Sequence, residues 1–430
     1  MSPITSYRRL LALTGPGYVV VAFLGRLPLA MSQLGTLLLV STATGKYAAG
    51  GLAAGALAVA NAVGAPVAGS IADRIGQRPV VMVQALTSSA ALVALVVLVS
   101  SAVDLPVIVA AAAAAGLSMP QVGSLARVRW RPITREAGSV QPRLVDAAFS
   151  YEGAADEASF VLGPALVGAL AVVVDAGGAL LAAAGLLAVF GCWFALHPTA
   201  EATHRERPAA TGRRDRLMTP VMAGLAGAQV LIGVVFGAVQ TGTTVLATAD
   251  GRPGLAGLLH ALLGIGSVVA GLACTALPAR FGYERRILVF AAGLLVLSSP
   301  LLLVDSLGML VPAVTALGFA VAPYMISVFM VAERIVSLRR LGAAMTLLAG
   351  ATGIGYALGS GIAGRLADAG GHTPAFAVAV TAGALAVALA AASARRLAVA
   401  GARTADPAPD RPQRSPDSAR HPQERSTSSA

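Results

Sequence analysis

The stretch VVVAFLGRLPLAMSQLG, Val19 to Gly35, decides how the whole chain is read. It is apolar enough to lie in a bilayer, yet Arg26 sits near its middle. A guanidinium at the centre of a membrane helix costs about 3 kcal/mol or more unless it finds a partner. Either the stretch does not span, or Arg26 turns inward and meets an acid. The rest of the chain favours the second reading. Of its 430 residues 56% are hydrophobic and 12% charged, and the mean hydropathy is +0.77. An ordinary soluble domain carries about 25% charged residues, so the composition makes a bilayer the main solvent. Glycine is abundant and aromatic residues are few, which suits helices whose backbones approach closely in lipid.

The net charge of +11 invites a nucleic-acid reading. The arginines, however, fall in short clusters between apolar runs instead of gathering on one face, so no nucleic-acid partner is expected. Cys192 and Cys274 stand alone inside apolar segments and make no disulfide framework. MSPITSYRRLLAL at the start leads into a long apolar segment without a short core and small-residue cleavage site, so it reads as the beginning of the first span.

A spanning helix needs roughly 20 mostly apolar residues. Such runs are expected near 14–40, 49–71, 79–101, 106–126, 144–173, 178–197, 218–246, 254–277, 286–304, 307–331, 341–366 and 374–396. The fold class predicted is an all-α membrane protein of twelve transmembrane helices in two six-helix, pseudo-symmetric bundles. Residues 1–197 form the N-terminal bundle, 198–217 a polar basic linker, 218–397 the C-terminal bundle, and 398–430 a disordered tail rich in Pro, Arg and Ser.

Basic residues set orientation, because they concentrate on the cytoplasmic side. With the N-terminus inside, 27 of the 31 basic residues fall in inside segments. Arg127, Arg129, Arg131, Arg135 and Arg143, between the fourth and fifth spans, are among them. Lys46, Arg252 and Arg365 fall outside, and Arg26 within the membrane. Both termini are therefore expected in the cytoplasm and the chain in the inner (plasma) membrane.

The two halves repeat. DRIGQRPVV (73–81) corresponds to ARFGYERRILV (279–289), GPALVGALAVVVDAGG (163–178) to GSGIAGRLADAGG (359–371), and GLSMPQV (116–122) to GFAVAPYM (318–325). Matching helices in two six-helix halves are the mark of a transporter built from parallel repeats around a midplane site.

Gly69, Asp73, Arg74, Gly76 and Arg78 in GSIADRIGQR follow the pattern G-x-x-x-D-R-x-G-x-R. On these residues the chain resembles the major facilitator superfamily of transporters across essentially residues 8–397. The resemblance implies that this loop locks and releases the inner gate. Asp73 can cap a helix end, Gly76 permits a tight turn, and the arginines can bridge neighbouring helices. The second copy has Ala279 in place of the aspartate, so it contributes less. In the fifth span, Gly163, Pro164 and Gly168 resemble the Gly-Pro signature of drug and metabolite antiporters, which implies export and a shaped contact between halves. Ser159 stands where that signature has glycine, and Ala111–Ala115 replace the arginine such antiporters carry before the position of Gly116. The segments FLGRLPLAM, GLSMPQVG and SYEGAADEASFVLGPALVG resemble an actinobacterial branch of the superfamily.

Ionisable residues inside the membrane are functional candidates by default. Arg26 lies 12 residues past Thr14 and Asp156 lies 12 past Leu144, so both sit about 18 Å along their helices. Glu157 is one step deeper. Arg26 is expected to pair with Asp156 or Glu157 while the other acid titrates. Glu152 shares a face with Asp156 at i, i+4. These four residues are the candidate proton-coupling group or intramembrane ion pair, with a static structural pair as the competing reading. Gln33, Asn61, Gln121, Gln229, Gln240 and Tyr324 are candidate linings of a substrate cavity, although each also suits an ordinary interhelical hydrogen bond. His260 can titrate near neutral pH, and Glu333 with Arg334 reads as a pair of gate charges.

Other readings fail on context. Gly353, Gly355 and Gly359 imitate a nucleotide loop but lie inside an apolar helix with no preceding strand. No Walker loop, metal-ligand spacing or nucleophile–base set is present. The expectation is a secondary active transporter, not an enzyme, without cofactor or metal. It works by alternating access and exports a small organic compound in exchange for protons. Proton-driven uptake of a small polar solute is the alternative. Partners are the small-molecule substrate, protons and the lipid bilayer, and a monomer is expected.

Overall fold

The computed structural model describes residues 2–45, 47–205, 217–252, 255–278 and 281–405. Among the described residues the regular structure is helical throughout. The first part comprises α1 (Pro3–Thr44), α2 (Tyr47–Ile75), α3 (Gln77–Ser100), α4 (Leu105–Ser118), α5 (Val122–Ile133), α6 (Gln141–Val173), α7 (Ala176–Leu186), α8 (Cys192–Leu196) and the short α9 (Thr199–Arg205). The second comprises α10 (Pro220–Ala249), α11 (Ala256–Ala273), α12 (Tyr283–Ser298), α13 (Leu307–Ile335), α14 (Leu341–Gly370) and α15 (His372–Ala405). Among the described residues eleven runs are long and apolar enough to cross a membrane, and Ala261–Ala276 is a shorter apolar helix. The chain is a multi-pass membrane protein, and α11 supplies the twelfth crossing.

Two crossings are built from two helices each. α4 and α5 are one crossing broken at Met119–Gln121, because Pro120 cannot donate to the ladder. Asn61 of α2 covers the freed carbonyls, donating to Gly116 O at 3.2 Å and Met119 O at 3.1 Å. Gln121 Nε2 donates in turn to Asn61 Oδ1 at 2.6 Å. α7 and α8 are joined by a π-helical turn, Leu187–Gly191. In α1 the sharp bend is at Gly15, whose φ of 76° suits glycine, so the amphipathic start of the helix and its spanning part point in different directions.

Within the first part α1 packs on α2, α6 and α7, and α4 on α2 and α3. In the second, α10 packs on α14 and α15, α13 on α11 and α12, and α12 on α15. Two six-span bundles result. They meet along two seams, α2 against α14 and α6 against α11, with α13 also touching α6 and α5 touching α14. Val59, Val63, Val67 and Ile71 of α2 stay exposed, four residues apart, as a lipid-facing stripe.

Three placements differ from the sequence reading. The fourth crossing runs to Ile133 instead of ending near 126, which buries Arg127 and Arg129. Both have interior partners, so neither belongs to a solvated loop. Residues 199–205 of the linker form α9, and 206–216 lie outside the described residues. α15 continues to Ala405, beyond the expected boundary at 397. The tail after 405, Lys46, Ala279 and Arg280 lie outside the described residues, as does the side chain of His260.

Candidate functional site

Arg26 is 3% exposed and faces α6, not lipid. Its NH2 reaches Glu152 Oε2 at 2.6 Å, its NH1 reaches Asp156 Oδ1 at 2.9 Å, and its Nε donates to Ala22 O at 3.1 Å. The second oxygen of each acid is also held. Trp130 Nε1 donates to Glu152 Oε1 at 2.7 Å, and Arg127 NH1 lies 2.7 Å from Asp156 Oδ2. The cluster is a closed set of two guanidiniums and two carboxylates drawn from α1, α5 and α6, in which three acid oxygens accept charge-assisted hydrogen bonds and the fourth is held by the Arg127 ion pair. Small residues make room for it. A Cβ at Gly123 of α5 would collide with Asp156, and one at Gly163 of α6 would collide with Ala30 of α1.

The expected register of Arg26 against Asp156 holds, but Glu157 is not its partner. Residues one step apart on a helix point about 100° apart, while Glu152 and Asp156 share the face toward α1. Glu157 is buried and makes no ion pair with either arginine of the cluster. Its carbonyl lies beside Gly264 of α11, with Ser267 of α11 next to its side chain. Glu157 therefore occupies the α6–α11 seam between the bundles as a carboxyl group with no ion pair among the described residues, although Arg127 lies within its field.

The remaining candidates separate. Asn61 and Gln121 are occupied at the break in the fourth crossing. Gln240 Oε1 accepts from Tyr356 OH at 2.5 Å, within the second bundle. Gln229 is fully buried with neither amide atom paired. Tyr324 is fully buried with its OH 3.5 Å from Ala228 O, and Gln33 is half-buried on α1. These residues do not gather into one lining. In the Gly-Pro stretch, Gly163 shapes a contact within the first bundle rather than between bundles. Gly168 is exposed, and a Cβ there would meet nothing.

Asp73, at the end of α2, reaches across to the other bundle. Its Oδ1 accepts from Gly342 N at 2.9 Å and its Oδ2 from Ala343 N at 2.8 Å. These are orphan donors in the first turn of α14, whose own N-cap, Arg340, makes no side-chain cap. Asp73 thus caps α14 in trans and sets a negative charge at its positive end. A Cβ at Gly69 would collide with Thr346 and Gly342 of α14, so the approach requires glycine there. Gly76, with φ 98°, turns the chain into α3. Arg74 is exposed, and Arg78 lies 3.5 Å from Glu201.

Other ties between the bundles lie at the same, arginine-rich end. Asp146 accepts from Tyr283 OH at 2.6 Å and lies 3.7 Å from Arg334, Arg131 lies 3.3 Å from Glu333, and Tyr7 OH donates to Leu272 O at 2.8 Å. Val128, Val145 and Phe149 of the first bundle join the apolar core of the second. This end of the molecule is closed.

Two buried arginines escaped the sequence reading. Arg127 belongs to the cluster. Arg129 is fully buried, with its Nε 2.9 Å from Gln77 Oε1, its NH1 2.9 Å from Thr199 Oγ1, and its guanidinium 3.6 Å from the centre of the Phe194 ring. His197 Nδ1 shares Thr199 Oγ1 at 3.0 Å, and burial together with the charge of Arg129 pushes this imidazole below its ordinary range. The available signal was Trp130 amid the arginines, since a large aromatic residue is out of place in a solvated loop.

Residues 225–422 match the family model described as Major Facilitator Superfamily. No curated protein matches the sequence. Solved structures do share the fold. The human organic anion transporter MFSD10 (TETRAN) superposes with a TM-score of 0.67 at 20% identity, covering 86% of this chain and 98% of that one. A bacterial homologue of the iron transporter ferroportin, in its outward-facing state, gives 0.69 at 15% identity over 89% and 98%. A single-residue variant of the E. coli fucose:proton symporter FucP gives 0.61 at 15% identity over 89% and 98%. The twelve-span fold of two six-helix bundles is therefore that of the major facilitator transporters.

Proposed function

We propose that the chain belongs to the Major Facilitator Superfamily and is a secondary active transporter that works by alternating access. In this reading the arginine-rich end faces the cytoplasm, both termini lie there, and the protein resides in the plasma membrane. It exports a small organic compound in exchange for protons. The observation that carries the reading is Glu157, a buried carboxyl group in the seam between two bundles, beside a cluster in which every other acid is paired. An ion buried without a partner costs far more than a neutral group. A carboxyl that is sealed and then wetted as the bundles rock can carry a proton across. Trans-capping of α14 by Asp73 supplies the releasable lock for that motion.

The similar structures are an organic anion transporter, a homologue of an iron transporter and a fucose:proton symporter, so the fold leaves the solute open. The test is a solute screen with the purified chain in proteoliposomes under an imposed pH gradient. Transport driven by that gradient is expected in the intact protein and lost in E157Q, with insertion unchanged. Gradient-driven transport that survives E157Q sinks the coupling role. The direction of movement relative to the gradient separates export from the uptake seen in a proton symporter.

A further inference from the structure

Arg127 has two attachments that lie in different bundles. Its NH1 is 2.7 Å from Asp156 Oδ2 in the first bundle, and its guanidinium lies 4.4 Å from the centre of the Phe329 ring on α13 in the second. One turn further along the same two helices, Arg131 meets Glu333 at 3.3 Å. α5 and α13 thus face each other through two arginine rungs four residues apart. The outer rung is 41% exposed on the arginine side, whereas Arg127 is 2% exposed. A guanidinium over an aromatic face gains most when water is excluded, but the ring alone does not neutralise it.

The two arginines that share Asp156 are unequal. Arg26 keeps Glu152 as a second carboxylate, at 2.6 Å. Arg127 has no second carboxylate among its ion pairs, and its Nε is buried without a partner. Loss of charge on Asp156 leaves Arg26 paired and strands Arg127 against Phe329. Stripping one partner from a buried pair is strongly unfavourable because the other charge stays buried. The nearest relief is for α5 to part from α13, which brings water to Arg127. Glu157, the other acid in its field, lies on the α11 side of α6.

We propose that Arg127 is a positioning residue that ties the charge on Asp156 to closure of the arginine-rich end. An ionised Asp156 lets α5 seat on α13, and a neutral Asp156 opens that seam. This deepens the alternating-access reading and rests on it, but its readout needs neither a solute nor a pH gradient. A failed transport screen therefore leaves the result standing, and a failed result here leaves the screen standing.

The chain carries its own reporter. Cys274 is 8% exposed and begins the turn Cys274–Ala276, which packs against α6 across the seam. In a full-length C192A background, the rate of Cys274 alkylation by N-ethylmaleimide at one fixed pH reads opening of this end. D156N is expected to raise that rate roughly tenfold or more, as expected when one partner of a buried pair is removed. F329A raises it by a smaller factor, with the charges unchanged. R127Q added to D156N removes the stranded cation and returns the rate to within about threefold of background, a non-additive result that only coupled residues give. A D156N rate near background, including one held down by Arg127 moving to Glu157, overturns the proposal. So does a fast D156N rate that R127Q does not reverse, which is what a merely unfolded protein shows.

Discussion

The two bundles share a fold and differ in where they keep their charge. The first holds Arg26, Arg127, Arg129, Glu152 and Glu157 buried and Asp156 half-buried. The buried and half-buried polar groups within the spans of the second include Gln229, Gln240, Tyr324, Tyr356 and Ser267, all neutral. Among the described residues, its charged groups sit near helix ends, such as Glu333 with Arg334 and Arg365 with Asp368. The repeat therefore supplies two similar scaffolds, and among the described residues only the first carries an ion cluster deep within its spans, the buried Arg286 and Glu333 of the second lying at helix ends. A charge cluster needs several helices to converge on one point, and α1, α5 and α6 do so because Gly123 and Gly163 admit them. The second bundle uses its glycines differently, bringing α10 flush against α14 at Gly233, Gly237, Gly355 and Gly359. Close helix packing leaves no room for a guanidinium. The lesson is that pseudo-symmetry in sequence does not carry symmetry of chemistry.

The contrast can be broken first at Arg26. Arg26→Ala leaves Glu152 without its cation and Asp156 with Arg127 alone, and should cost about 3–5 kcal/mol, read as a large fall in the thermal midpoint in detergent. Adding Glu152→Gln should recover part of the loss. Absence of any recovery means that the cluster is not a closed set. Next is the seam that joins the bundles. Gly69→Val places a branched side chain where Thr346 and Gly342 already lie, so the arginine-rich end cannot close. Pulse-labelling of Cys274 should then be fast at every pH, with the fold retained. A wild-type rate would show that α2 and α14 can separate there without opening the end.

In the second bundle the expected effect is smaller and of opposite sign. Gln229 is fully buried with its amide unpaired, so Gln229→Leu should stabilise by about 1–3 kcal/mol, the cost of an unsatisfied buried group. A loss of stability would mean that the amide has a partner in the working protein. The smallest effect concerns His197. Its pKa is depressed in the folded chain, so its stabilising contribution is present above the ordinary value of about 6.5 and is lost as the pH falls toward the folded value. Protonation there adds a second cation beside Arg129 and weakens the hold on Thr199 and α9. Proteolysis of the linker should accelerate modestly below about pH 6, and His197→Gln should remove that dependence.

Much of this was legible in the chain. Twelve apolar runs appear at nearly their observed positions, because length and hydropathy are local properties that a bilayer imposes directly. The shared depth of Arg26 and Asp156 followed from counting residues along two helices. The face of α6 toward α1 was readable too, since Glu152 and Asp156 differ by one helical turn. The choice between Asp156 and Glu157 as partner was not, because it depends on the rotation of α6 against α1 and α11. By sequence, Arg127 and Arg129 read as basic residues at the membrane surface. Composition identifies that class well on average but does not show that α5 continues past them. Nor does the pattern around Asp73 name its hydrogen-bond donors, two backbone amides some 270 residues away.

The sequence alone determined the solvent, the number of crossings, the two-part repeat and the presence of ions within the membrane. Each is set by local composition or spacing, which a bilayer reads one helix at a time. Tertiary structure alone decided which ions meet, which acid is left without an ion pair, and which end of the molecule is shut. Those outcomes depend on how helices rotate and approach one another. Contacts of that kind form between residues far apart in the chain, where periodicity carries no information.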